Sequence, residues 1–354
     1  MLPLASKVYV CDPRPDYPLL TTAKRYWDLT QDFSNDTDAL TLILAHGTGY
    51  HKEQWEPTIE DLHGILQSYG SRTLKIREIW SIECPNHGEA AVLNEHTLNW
   101  GYDTYFDWQE YARSIHIFFT GLGKGVDVDF SGHKLVGIGH SMGACALTLV
   151  GTLSPKLIFH SLVLVEPMVY PQPDQLPHGS SIAGIKGLRD GALRRRDIWP
   201  SYEEALTTLQ LRPWFQKWDP RVLRIFVKDG LRPLPTLDYP GKTDGVTLKC
   251  TKKLEAACYA NVLGRVRSYN ILPHLCSSLP VHFIYGGISD YLYSLIAPFH
   301  FAMCANVPYA LVHEISKSIS STSPHKAGML LTKRLPAQDI WYMHVMMWRM
   351  RGLH

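Results

Sequence analysis

The sequence predicts an α/β fold: a mostly parallel sheet flanked by helices, with a helical cap insertion. Three observations lead to it. Short apolar runs, bounded by glycine-rich or polar turns, alternate with longer amphipathic segments, as expected of buried parallel strands joined by helices. The 354 residues are 45% hydrophobic and 19% charged, which supplies a large core and excludes disorder for most of the chain. From about Met168 to Pro273 the runs give way to basic clusters, tryptophans and prolines. The expected division is therefore 1–168 plus 274–354 as the α/β core, with 169–273 as the cap.

Each element has its own signal. Leu40 to Ala45 (LTLILA) reads as a buried strand and runs straight into His46-Gly47-Thr48-Gly49. Leu74 to Ile79 (LKIREI) is a second strand, leading to the polar turn Cys84-Pro85-Asn86-His87-Gly88. Trp108 to Thr120 places aromatic and aliphatic residues at helical spacing. Lys134 to Ile138 (KLVGI) is a strand, followed by Gly139-His140-Ser141-Met142-Gly143 and a helix of small and apolar residues from Ala144 to Leu153. Ser161 to Val165 (SLVLV) is the next strand and ends at Glu166-Pro167. Inside the insertion, helices are expected over Tyr202 to Leu211 and Pro220 to Asp229. The sheet resumes at Val281 to Tyr285 (VHFIY), before Gly286-Gly287-Ile288-Ser289-Asp290, and closes with Ala310 to Ile315. A last helix is expected from about Ala337 to Arg351.

Charge and composition exclude several classes of function. Thirty-five basic against 33 acidic residues give a formal charge of +2, too small for a nucleic-acid footprint. The apolar runs fall well short of the ~20 residues of a spanning helix. The seven cysteines are odd in number and none has C-x-x-C spacing, which argues against a disulfide framework or a structural zinc site. The N-terminus shows no long apolar signal region, and Gly352-Leu353-His354 is not an SKL-type ending. An intracellular setting, cytoplasmic or peroxisomal, is expected.

The strongest chemical signal is GHSMG at 139–143. It fits G-x-S-x-G directly after a strand and before a small-residue helix, the context of a nucleophile elbow. Such a turn strains Ser141, requires small residues at Gly139 and Gly143, and sets the Met142 N–H beside the reacting carbon. HGTG at 46–49 follows an earlier strand, where a second oxyanion donor of such sites lies. Thr48 N–H and Met142 N–H are the expected oxyanion-hole pair; losing one such donor costs roughly 2.7–4 kcal/mol.

Taken together, strand–HGTG–strand–GHSMG–strand resembles the α/β-hydrolase superfamily. Longer stretches narrow the resemblance to fungal lipase, acyl-CoA-hydrolase and toxin-biosynthesis hydrolase-like proteins. These are LAHGTGYHKEQWEP (44–57), LVGIGHSMGA (135–144), LVLVEPMV (162–169) and the segment from SYEEALTTL to WDPRVLRIFVKDGL (201–231). The resemblance implies a Ser–His–acid triad. Two acids compete: Glu166, 25 residues after Ser141 and at the position these fungal proteins use, and Asp290, after a later strand, where most of the superfamily carries its acid. Glu166 is preferred. His325, in Ser-Pro-His-Lys-Ala-Gly, best fits the histidine that must follow the last strand, although the family usually reads Gly-His before an apolar pair. His313 and His344 are read as strand and helix residues.

The expected activity is hydrolysis of an ester or thioester of a hydrophobic acyl or polyketide-like small molecule through an acyl-enzyme. The alternatives are acyl transfer or cyclisation on the same scaffold, or non-catalytic ligand binding. No metal or organic cofactor is called for. Asp103, Asp107 and Glu110 read as helix surface rather than a metal cluster. His87 belongs to a loop resembling one that lines the site mouth, and His140 packs structurally. Arg194-Arg195-Arg196 reads as a solvated face, with a phosphate-rich CoA moiety as the alternative.

Overall fold

The computed structural model describes residues 4–69, 74–172, 183–286 and 310–315. In chain order the strands are β1 (Leu4–Cys11), β2 (Thr21–Asp28), β3 (Leu40–Ala45), β4 (Ile76–Ile82), β5 (Lys134–His140), β6 (Phe159–Val165), β7 (Ile198–Trp199), β8 (Leu231–Pro233), β9 (Val246–Leu248), β10 (Val281–Gly286) and β11 (Ala310–Ile315). The helices are α1 (Glu56–Tyr69), α2 (Gly88–Leu93), α3 (Glu95–Gly101), α4 (Trp108–Phe119), α5 (Met142–Val150), α6 (Ala183–Arg194), α7 (Tyr202–Gln210), α8 (Pro220–Gly230), α9 (Lys252–Tyr259) and α10 (Leu263–Ser278). The final helix expected over 337–351 lies outside the described residues.

Eight strands form one sheet in the order β1-β2-β4-β3-β5-β6-β10-β11. β1 and β2 pair antiparallel, β2 joins β4 antiparallel, and every later pairing is parallel. Alternation along the strands divides the core into two layers. Ile43 and Ala45 face one way, into a cluster with Tyr111 and Ile115 of α4, Leu147 of α5 and Leu272 of α10. Leu42 and Leu44 face the other way, towards Ile59 and Leu62 of α1. With helices on both faces, the parallel strands β3, β5 and β6 end together along one edge of the sheet.

Local chemistry starts the helices where they start. Asp107 caps α4 by accepting from Gln109 N–H at 2.9 Å. Ser201 caps α7 through Glu204 N–H. Asp219 caps α8 through Arg221 N–H at 2.8 Å, with Pro220 in the first turn. Asp107 is thus a cap and Glu110 accepts from Tyr17 OH, so both have structural partners.

Within 169–273 a third apolar cluster gathers Trp199, Leu209, Trp218, Val222, Phe226, Val227 and Leu248, with Tyr50 of the core packed against it. Leu254, Ala257 and Cys258 of α9, and Leu272 and Cys276 of α10, belong instead to the main cluster. The same stretch also holds a small antiparallel sheet, β7-β9-β8. Its strands are two or three residues long, too short to show a period in the sequence.

Candidate active site

Ser141 occupies the one-residue bend between β5 and α5, with φ 53° and ψ −114°. A β-carbon-bearing residue adopts such a conformation only when its surroundings enforce it, at a cost of about 1–3 kcal/mol. The enforcement is visible. Ser141 N–H donates to Val165 O at 2.9 Å, which ties the bend to β6. A β-carbon on Gly143 would lie 2.2 Å from Ala45 O, and one on Gly139 would lie 2.6 Å from Ala144 N. Both contacts are with backbone, so only glycine fits at either position. Met142 opens α5, and its N–H is among the helix's unshared first donors.

Glu166 follows the end of the neighbouring strand, β6, as Ser141 follows β5. His140 pairs with Val165 in the β5–β6 register, so the residues that follow each leave the sheet at the same level. Glu166 is only 3% exposed and has φ 43°. Ser141 and Glu166 are the two non-glycine residues in left-handed backbone among the described residues, and they sit at adjacent strand ends. Glu166 N–H donates to Ile284 O of β10 at 2.9 Å. Asp290, His325 and His344 lie outside the described residues, and His313 falls on β11.

The loop after β3 reaches the same edge. A β-carbon on Gly47 would come 3.2 Å from Ser141 Cβ, and Thr48 Oγ1 donates to Met142 Sδ at 3.4 Å. The two residues expected to offer oxyanion amides are therefore brought together. Two buried imidazoles hold the loop. His46 Nδ1 bonds Gly47 O at 2.8 Å and its Nε2 accepts from Cys84 N–H at 3.0 Å. His87 Nε2 accepts from Gly49 N–H at 2.9 Å, and its Nδ1 lies 2.7 Å from Asn86 Oδ1. Burial holds His46 down to about 4 and, with His46 alongside, holds His87 well below the usual histidine range. His87 is wholly buried rather than lining a mouth; its histidine-before-glycine position in the polar turn gave no sign of that. His140 packs its ring 5.8 Å from that of Tyr50.

One group of described residues has the donors for a metal ion: His51, Glu53 and Glu83 offer ligand atoms within 4.8 Å of one another. The protein supplies its own cation there. Lys52 Nζ lies 2.9 Å from a carboxylate oxygen of both Glu53 and Glu83. Burial alone would depress the lysine, but the Glu83 and Glu53 charges outweigh it and hold Lys52 above the usual range. Of the arginine run, Arg194 and Arg196 are exposed, whereas Arg195 pairs with Glu255 of α9. Glu255 in turn rests on Gly49, whose added β-carbon would meet its Oε1 at 3.1 Å. Glu255 and Asn86 carry no motif and were not legible as neighbours of the site.

Comparison with known proteins agrees with this geometry. Residues 42–275 match the model of the alpha/beta hydrolase family. The chain is similar to the type I acyl-CoA thioesterase mpaH of Penicillium brevicompactum, 32% identical over 203 residues, 57% of this chain and 42% of that protein. It is also similar to the abhydrolase domain-containing protein AFT2-1 of Alternaria alternata, 34% identical over 97 residues, 27% of this chain and 33% of that protein. The matches thus span less than half the length of these curated relatives. Among solved structures, the peroxisomal alpha-beta-hydrolase Lpx1 of Saccharomyces cerevisiae shares the fold, with a TM-score of 0.62 at 20% identity over 89% of this chain and 83% of that one. Since the family model runs from β3 through the serine bend to α10, the chain belongs to the alpha/beta hydrolase family.

Proposed function

We propose that the chain is a serine hydrolase that cleaves an ester or thioester of a hydrophobic acyl or polyketide-like small molecule through an acyl-enzyme. The observation that carries this reading is Ser141 on its strained bend at the carboxyl edge of the sheet. In this reading Ser141 Oγ attacks the carbonyl carbon while His325 takes its proton. Thr48 and Met142 N–H stabilise the oxyanion, and Glu166 orients the histidine in preference to Asp290. His325 then protonates the departing alcohol or thiol, and water releases the acyl group.

An apolar substrate is supported by the aromatic roof beside the bend. Tyr50 lies between His140 and Trp218, with ring centroids 5.8 and 5.3 Å away, and Phe215 and Phe226 pack on Trp218. In this reading residues 169–273 form a cap over the pocket. The name of mpaH as an acyl-CoA thioesterase favours the thioester. The six described cysteines are buried and form no disulfide with one another, which suits the intracellular setting expected from the sequence; no described helix is long and apolar enough to cross a membrane.

The test is reaction with a fluorophosphonate probe, followed by peptide mapping. Folded wild-type protein should be labelled at Ser141, and Ser141→Ala should lose both labelling and turnover of acyl-CoA and p-nitrophenyl esters. Folded protein that leaves Ser141 unlabelled would overturn the reading.

A further inference from the structure

We propose that His46 and His87 form a neutral two-imidazole clamp on Thr48, with His87 as the positioning residue that completes it. The inference rests on the serine-hydrolase reading and adds to it a means of aiming the second oxyanion amide. Thr48 N–H belongs to the same peptide unit as Gly47 C=O, and His46 Nδ1–H donates to that oxygen at 2.8 Å. In a planar trans peptide the carbonyl and the N–H point in opposite directions, so fixing Gly47 O fixes the direction of Thr48 N–H. The peptide on the other side of Thr48 is held by His87, whose Nε2 accepts Gly49 N–H at 2.9 Å. With both flanking peptides held, neither dihedral of Thr48 can turn freely.

The clamp works only if both rings are neutral and in the same tautomer, with the proton on Nδ1 and Nε2 accepting, and the surroundings select that tautomer. His46 Nε2 must accept, because Cys84 N–H points at it from 3.0 Å. His87 must carry its proton on Nδ1. Asn86 Nδ2 donates to Leu254 O at 3.3 Å and to Cys258 Sγ at 3.1 Å, which turns Asn86 Oδ1 towards His87 Nδ1. The partners of Asn86 lie on α9, so a chain of contacts runs from α9 through Asn86 and His87 to the peptide beside the oxyanion amide. The two rings lie 5.2 Å apart; Glu83 favours charge on His46 while His51 and Lys52 oppose it, and Arg195 and His51 oppose charge on His87. Burial is the largest influence on both and opposes their charge, and His46 further opposes charge on His87. A protonated His87 Nε2 would face Gly49 N–H donor to donor, and the peptide would have to turn away.

Two sets of variants test this, read by kcat and KM separately and by the rate of fluorophosphonate labelling at Ser141. His87→Ala should lower kcat and the labelling rate at least tenfold with KM little changed, since one misaimed donor costs up to about 10²-fold. His87→Gln, which can present an amide oxygen to Gly49 N–H, should recover most of that loss. Asn86→Asp keeps an acceptor on Nδ1 but favours the imidazolium, so the acid limb of kcat should move upward by at least one pH unit. If His87→Ala does not fold, the Asn86→Asp profile decides. His87→Ala and His87→Gln with equal rates, or an Asn86→Asp profile that does not move, would overturn the clamp while wild-type labelling and turnover leave the hydrolase reading intact. Wild-type protein that neither labels at Ser141 nor turns over ester or thioester removes both.

Discussion

At the scale of single residues, the site is a set of positions where the backbone permits very little. Ser141 and Glu166 both occupy left-handed backbone at adjacent strand ends, and strain of about 1–3 kcal/mol at each is retained only because the surrounding sheet imposes it. Gly143→Ala would drive a β-carbon to 2.2 Å from Ala45 O. It is expected to cost about 1–3 kcal/mol in urea unfolding, and turnover should fall with it, because the bend must shift to make room. The carboxylate can be tested separately. Under the proposed triad, Glu166→Gln should lower kcat about 10⁴-fold, the scale seen when a triad acid loses its charge, whereas Asp290→Asn should leave most of the activity. The reverse pattern of rates would assign the acid to Asp290. The bend at Ser141 was legible because glycine spacing around a serine states a backbone requirement. The partners that hold Thr48 were not: a buried neutral histidine and a surface one are written with the same letter, and only packing separates them.

Among elements, the hub at Glu83 joins four segments. Glu83, at the end of β4, accepts from Thr22 Oγ1 at 2.7 Å, Lys52 Nζ at 2.9 Å and Ala90 N–H at 3.1 Å. It thereby links β2, the segment before α1 and the first turn of α2. The Lys52 and Glu83 side chains are 2% and 0% exposed. Lys52→Met leaves Glu83 buried without its counter-charge and should destabilise the fold by about 3–5 kcal/mol, read from urea midpoints. Lys52→Met with Glu83→Gln should recover part of that loss, because the uncompensated charge is gone. The same contrast explains which elements were legible. β3, β5, β6, β10 and β11 read directly from near-continuous apolar runs, the mark of strands covered on both faces. β1 and β2 did not, because Leu4–Cys11 and Thr21–Asp28 mix lysine, arginine and threonine with the apolar positions and expose part of an outer hairpin. α10 was hidden by Pro273 within it, a residue that ordinarily marks a helix end.

For the whole molecule, the two buried imidazoles set how the fold meets acid. His46 titrates near 4 in the folded chain because burial disfavours its charge, against about 6.5 when unfolded. Below about 6.5 the unfolded chain takes up a proton that the folded chain refuses until about 4, so stability rises with pH across that window and is lost as pH falls through it. His87, also held well below the usual range by burial and by His46, contributes in the same direction. Each such proton makes stability fall by about 1.4 kcal/mol per pH unit. Urea midpoints measured from pH 7 to pH 4.5 should therefore decline with a slope approaching two protons beyond that of the carboxylates. His87→Gln should reduce that slope by about one proton while leaving stability at pH 7.5 nearer to wild type than at pH 5. An unchanged slope in His87→Gln would mean that His87 takes up its proton without disturbing the fold, and the acid sensitivity would then belong to other groups. Because the same two rings hold the peptides on either side of Thr48 and stay neutral in the folded chain down to about 4, the loop's part in activity should be lost no earlier than the fold as pH falls. The order of the two losses, read by turnover and by circular dichroism on the same samples, ties the loop's geometry to the stability of the sheet edge that carries it.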